Sequence, residues 1–211
     1  MNKKVVYTVI CGDYTLPILR YKAKGWDYVC ITTSDIKTDE WKVIKVPSGN
    51  MPDYLSSRYY KTHPFDILKG YNLYMYIDSK VVIHGDINTY VKLLSKDKDF
   101  LITNHPAGKN TKHEMVRVLE KNKCPKYEVD DISKFYERVY FNTEQGGMYQ
   151  GWCLLFRDSE YVHALFNMWW IMIENYCRRD QLSFPYTLSL IGRDKFKVVS
   201  QRVVYRYFNK K

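Results

Sequence analysis

Residues 71–86 read Tyr-Asn-Leu-Tyr-Met-Tyr-Ile-Asp-Ser-Lys-Val-Val-Ile-His-Gly-Asp, and they restrict the fold more than any other stretch. Leu73, Tyr74, Met75, Tyr76 and Ile77 form an unbroken apolar and aromatic run. That is the pattern of a strand buried on both faces of a parallel or mixed sheet. Asp78 ends the run and Ser79 follows. Open α/β sheets bind their ligands at the carboxyl ends of strands. Two readings of Asp78 therefore stand. It is a turn aspartate at a strand end, or a carboxylate that holds a divalent cation, which in turn holds a diphosphate.

The rest of the chain supplies the partners of such a strand. Residues 5–10 are a β-branched run, expected as a first and central strand, and Cys11-Gly12-Asp13-Tyr14 follows it. Gly12 allows a backbone to approach a ligand closely. The segment is neither a Walker loop nor GxGxxG, so a plain turn and a nucleotide contact both remain open. Residues 16–24 suit a short helix ended by Gly25. Residues 26–32 and 41–46 read as strands, giving the alternation of an α/β sheet. Residues 54–63 read as a helix that stops before Pro64. Arg58 and Lys61 share a face of that helix, either to meet a diphosphate or as a solvated basic face.

Beyond Asp78, residues 81–83 suit a short strand, and Asp86 an N-cap for a helix ending near Leu94. Residues 100–103 form another strand, which leaves His105 at its end as a structural histidine or a ligand. Residues 111–122 and 129–141 read as amphipathic packing helices. Gly146, Gly147 and Gly151 surround Met148, Tyr149 and Gln150, with Trp152 following. They suit a loop that approaches a flat polar ligand, or a plain turn before a strand over 153–156. Residues 159–176 form a long helix whose Trp169, Trp170 and other apolar residues read as core. In Arg178-Arg179-Asp180-Gln181 the carboxylate beside arginines stays ionised. It orients a hydroxyl, stabilises a developing cation, or caps a helix. Residues 195–204 are expected as a last strand, followed by a basic tail through Lys211.

A formal net charge of +10 with pI near 9.2 points to an anionic partner. Nucleic acid, an acidic membrane and nucleotide phosphates all qualify. The basic residues are dispersed, with no block of five, which weakens a dedicated nucleic-acid arm. Twenty tyrosines offer stacking faces and hydroxyls for sugars, bases or partner surfaces. Cys11, Cys30, Cys124, Cys153 and Cys177 contain no CxxC pair, and buried reduced thiols in a cytosolic compartment are expected. With no signal-peptide core, and an apolar stretch at 164–173 too short to span a bilayer, a cytoplasmic, soluble chain forming one domain is expected.

Together these stretches resemble metal-dependent, nucleotide-sugar glycosyltransferases of the GT-A fold. The residues around Tyr7 to Tyr14, Arg58 to Pro64, Tyr76 to Asp78 and Arg179 to Phe184 resemble the DUF616-type proteins within them. The resemblance implies an α/β, Rossmann-like mixed central sheet flanked by helices. In that family an Asp-x-Asp ends a central strand and binds Mn²⁺ or Mg²⁺ on the donor diphosphate. Asp78-Ser79-Lys80 matches the first position, but Lys80 replaces the second acid. The resemblance then leaves His105 or Asp86 to complete the ligand set, or Lys80 itself to offset phosphate charge.

By the same resemblance Thr8, Cys11, Gly12 and Asp13 line the nucleoside, and Arg58, Lys61, Asp78, Ser79 and Lys80 the diphosphate. Gly147 and Trp152 border the sugar. Asp180-Gln181 is similar to the Asp-Gln element of retaining glycogenin-like and xylosyltransferase-like enzymes. The implied reaction moves a hexose or deoxyhexose from a UDP-sugar to a hydroxyl of a glycan or glycoprotein. The chain is also similar to the N-terminal domain of chlorovirus-encoded glycosyltransferases. That implies a viral protein acting in the host cytoplasm, with further chain after Lys211. Two rival classes remain. A nucleic-acid binder would lose affinity steeply with salt, and a carbohydrate-binding module would not need the Asp78 and Arg58 segments. Thermal shift with UDP, with and without Mn²⁺, separates them from an enzyme.

Overall fold

The computed structural model describes residues 3–106 and 108–210. In chain order the elements are β1 (Lys4–Ile10), β2 (Ile18–Leu19), β3 (Asp27–Thr32), β4 (Lys42–Lys45), α1 (Asp53–Thr62), α2 (Pro64–Ile67), β5 (Leu73–Ile77), β6 (Val81–Ile83) and α3 (Ile87–Val91). There follow β7 (Phe100–Asn104), α4 (Thr111–Glu120), α5 (Lys126–Arg138), β8 (Tyr149–Arg157), α6 (Glu160–Asn175), α7 (Asp180–Ile191), β9 (Phe196–Val199), α8 (Gln201–Val204) and β10 (Phe208–Lys210). Seven strands form one mixed sheet in the order β4-β3-β1-β5-β8-β7-β9. β8 runs antiparallel to β5 and β7, and the other pairings are parallel. The expected mixed α/β sheet flanked by helices is the observed one.

Every residue of β5 is buried, because helices cover one face of the sheet and a second layer covers the other. Side chains alternate across a strand, so Tyr74 and Tyr76 join Tyr7, Phe156, Phe166 and Trp169 in one core. Met75 and Ile77 join Val6, Leu155, Tyr90 and Phe208 in the opposite one. The second layer is a three-stranded sheet in the order β10-β6-β2, with α3 beside it. A satellite cluster packs α4 and α5 against α6 and α7.

The helix expected over 16–24 is absent. Ile18 and Leu19 instead pair in parallel with Val82 and Ile83, so tertiary pairing overrides a weak local helix pattern. The strand expected over 195–204 ends at Val199. Ser200 turns the chain into α8, where the Gln201 N–H donates to Asn104 Oδ1 at 3.1 Å. The basic tail contributes β10, antiparallel to β6, while Lys211 lies outside the described residues. The glycine-rich loop is shorter than expected, since β8 already begins at Tyr149 and Gly151 lies within it. The expected Asp86 cap is present, its side chain accepting from the Asn88 N–H at 3.0 Å. Among the described residues no helix is long and apolar enough to cross a membrane.

All five cysteines are free and buried. Burial pushes the Cys30 and Cys153 thiols up to about 12 and raises the other three. Since the thiolate is the reactive form, a disulfide-exchange reagent at pH 8 is expected to leave the native protein essentially unmodified. It should titrate all five thiols after denaturation. Rapid modification of native protein would contradict this packing.

Candidate active site

The carboxyl ends of β1 and β5 lie side by side in the sheet. Asp78 follows β5 directly. Its N–H donates to the Trp152 carbonyl at 2.9 Å, and its carbonyl accepts from Val81 N–H at 3.0 Å. That closes a tight turn with Ser79 and Lys80 at its tip. The turn reading of Asp78 therefore holds for the backbone. The side chain is separate: Asp78 Oδ1 accepts from the Tyr76 hydroxyl at 2.8 Å, and the residue lines two adjoining hollows of about 290 and 270 Å³. Arg58, Asp78 and Lys210 line both, so the two form one groove.

Behind the groove is a buried ion cluster. Lys61, 2% exposed, donates to Asp180 Oδ2 at 2.7 Å, and Arg58 Nε lies 3.7 Å from the same oxygen. The Lys61 ammonium also sits 5.0 Å from the ring centres of both Tyr76 and Trp169, within cation–π range. The shared helix face of Arg58 and Lys61 thus meets a carboxylate. Burial alone would raise the Asp180 pKa, but Lys61, Arg58 and Arg179 reverse that and hold it well below the usual carboxylate range. For Arg58, burial opposes the charge and Asp180 overcomes it, so its pKa is raised. Asp180 opens α7 without capping it, since the N-cap position is Arg179.

Gly151 is part of this cluster. Opposite β7 the register slips, Ile102 facing Leu154 and Thr103 facing Gln150. Such irregularities recur beside active sites and re-aim the chain. Here the slip brings the Gly151 backbone against the ion pair. A Cβ at this position would stand 2.7 Å from Lys61 Nζ and 3.3 Å from Asp180 Oδ2. A lysine tip usually gives way cheaply, but this one is enclosed by two rings and its carboxylate. Gly151→Ala is expected to destabilise the protein by about 1–3 kcal/mol, the usual cost of overpacking. A chemical-denaturation midpoint unchanged from the parent would refute this close packing.

Of the residues singled out from sequence, Cys11, Arg58, Asp78, Ser79, Lys80, His105, Trp152, Asp180 and Gln181 line the groove. Thr8, Gly12, Asp13, Lys61 and Gly147 do not. Gly12, at φ +81°, instead packs against the start of α1, where a Cβ would meet Asp53 Oδ2 at 2.7 Å. Gln181 lines the groove, but its amide is engaged by the protein. Nε2 donates to the Tyr149 carbonyl at 2.9 Å, and Oε1 accepts from Arg179. Lys210, Lys123 and Arg179 are the cations that sequence reasoning left out of the site. Lys210 arrives from β10, facing Val81 in the ladder, with its ammonium 4.8 Å from the Trp152 ring centre.

The expected divalent cation is tested by this donor set. Burial lowers the His105 pKa, which favours its neutral form, and among the described residues its buried Nδ1 has no hydrogen-bond partner. It and Asp78 are competent donors. Hard divalent cations, however, fill their shell with several oxygens, which Mg²⁺ takes from one or two carboxylates together with substrate phosphates and water. Among the described residues the one further carboxylate lining the groove, Asp180, is already engaged by Lys61 and Arg58. Five basic side chains, Arg58, Lys80, Lys123, Arg179 and Lys210, line the same groove. Two free donors against five cations do not fit Mn²⁺ or Mg²⁺ held by the protein's own side chains. Among the described residues, the group of three possible ligands lies elsewhere, at Cys124, Glu128 and Cys177. Glu128 there is engaged by Arg178, whose Nε and Nη2 both approach to 2.6 Å.

A family model described as TOD1/MUCI70, glycosyltransferase-like domain, matches residues 2–208. Among solved structures the chain is similar to the crystal structure of the glycosyltransferase GlyE from Streptococcus pneumoniae TIGR4, with a TM-score of 0.52 and 12% sequence identity. The similarity covers 97% of this chain and 47% of that one, so the chain spans about half the length of that structure. At this identity the likeness is one of fold. No curated protein sequence matches the chain.

Proposed function

The chain belongs to the TOD1/MUCI70 glycosyltransferase-like domain family, and from that premise we propose that it transfers a sugar from a nucleoside diphosphate donor, UDP-linked, to a hydroxyl of a glycan. The observation that carries this reading is the groove at the carboxyl ends of β1 and β5. It is lined by five cations and by a carboxylate, Asp78, that forms no salt bridge among the described residues. Tyr14 and Tyr54 on its wall offer flat faces to a nucleoside.

In this reading the diphosphate lies against Arg58 and Lys80. The free oxygen of Asp78 accepts from a donor hydroxyl, its other oxygen being engaged by Tyr76. As the C1–O bond breaks, its electron pair goes to the diphosphate, and the cations oppose the growing negative charge. The acceptor hydroxyl attacks the same face of C1 and gives its proton to the departing diphosphate oxygen, so configuration is retained. Asp180, kept ionised behind the groove, favours positive charge at C1 and holds Arg58 in place. Because the donor set does not suit a divalent cation, none is carried into this mechanism.

The test is release of UDP from a panel of UDP-hexoses and UDP-deoxyhexoses, with and without glycan acceptors. Asp78→Ala should lower release by about 10²-fold or more, the scale of losing one polar contact to the reacting charge. Asp78→Ala turnover equal to the parent's would remove the groove from the mechanism. Absence of any release across the panel would overturn the reading.

A further inference from the structure

We propose that Lys210, delivered by β10 into the groove beside Asp78 and Trp152, acts with Lys80 and Arg58 as the counter-charge to the donor diphosphate, in place of a divalent cation. The inference rests on the glycosyltransferase reading and assigns to protein side chains the charge neutralisation that an acid pair with a bound metal would otherwise provide.

Three observations on separate elements support it. The first is position. The turn after β5 carries Lys80, not an acid, two residues beyond Asp78, and Lys80 lines the groove with Arg58 and Lys210. The second is how Lys210 is held. Antiparallel pairing sets Phe208 against Ile83 and Lys210 against Val81, immediately after the Asp78 turn. Phe208 is fully buried and anchors the strand, while the Lys210 ammonium lies over the Trp152 ring. A lysine fixed by a strand at one end and an aromatic face at the other loses little further freedom when it binds an anion.

The third is the state of the donors. Arg58 Nε is ion-paired with Asp180 at 3.7 Å but, among the described residues, has no hydrogen-bond partner, and its Nη1 reaches Ser57 Oγ at 3.4 Å. Burial lowers the Lys210 pKa, Asp78 opposing this, and Arg179 and Lys123 add repulsion. An anion in the groove would relieve that repulsion and meet the vacant donors. A divalent cation would add to the repulsion. Asp78 in this scheme favours the charged form of Lys210.

Calorimetric titration of the full chain with UDP, and with GDP as a base control, in EDTA and in Mn²⁺, tests the proposal. UDP is expected to bind in EDTA with an affinity within about threefold of that in Mn²⁺, a difference under 1 kcal/mol. Lys210→Ala should weaken UDP binding in EDTA by roughly tenfold, and Lys210→Arg should restore much of it, as for charge-assisted contacts. Lys80→Ala, on an exposed turn, should also weaken binding and keeps the test decisive if Lys210→Ala fails to fold. Binding that requires Mn²⁺, or binding in EDTA indifferent to both lysines, would overturn the inference and leave the transferase reading standing. Failure of both nucleotides to bind in both buffers would overturn both.

Discussion

Asp180→Asn is expected to unfold well below the parent protein, although the two side chains have the same shape. The substitution removes the carboxylate paired with Lys61, which is 2% exposed and, among the described residues, has no other side-chain hydrogen-bond acceptor. Breaking a buried ion pair from one side strands the other charge, at a cost of about 3–5 kcal/mol. For a chain of 211 residues each kcal/mol shifts the melting temperature by roughly 2–4 °C. A fall of roughly 6–20 °C should therefore appear in a thermal melt. Replacing the pair together, as Lys61→Met with Asp180→Leu, should recover much of the loss, since apolar residues of similar volume often substitute for a buried pair.

The pH dependence has a definite sign. The folded Asp180 pKa lies below the unfolded value, so its stabilisation is fully present above about pH 4. It is lost as pH falls further, through the folded pKa. The stability gap between the parent and Asp180→Asn should accordingly be constant from pH 5 to 7 and narrow below about pH 4. A gap that is absent at pH 7, or one that widens in acid, would show that Lys61 and Asp180 do not form the pair described.

Arg58→Ala carries the largest expected effect on catalysis. Arg58 lines both parts of the groove, and Asp180 holds it there while its Nε lacks a hydrogen-bond partner. Removing such a donor to developing charge typically costs about 10²–10³ in turnover. The fold should tolerate the change better than Asp180→Asn, because Lys61 keeps its own 2.7 Å contact with Asp180. Arg58→Lys should recover only part of the rate, since an ammonium cannot reproduce the planar fork of a guanidinium. The comparison separates the two residues: one variant loses stability first, the other turnover first. Arg58→Ala turnover within about threefold of the parent's, under 1 kcal/mol of barrier, would rule out its place at the diphosphate.

The strand ending at Asp78 was legible because five consecutive apolar residues can be satisfied only by burial on both faces. The common face of Arg58 and Lys61 was legible from helical spacing, but its partner was not. Asp180 lies 119 residues away from Lys61, and no local pattern reports a contact of that range. Gly151 read as a loop residue because glycine usually marks turns, whereas the β7–β8 slip holds it in a strand. Gln181 stood out beside Asp180, yet its amide serves Tyr149 and Arg179. Lys210 had no local signal at all, being one lysine in a basic tail. Only the pairing of β10 with β6 gives it a place in the groove.

That pairing also sets the order in which the protein becomes complete. β6 emerges early in synthesis, directly behind the Asp78 turn, and waits for a partner more than a hundred residues downstream. Among the strands of the described residues, the one bearing Lys210 is translated after all the others. A nascent chain free only as far as β9 would possess its main sheet while its pocket stayed open on one side.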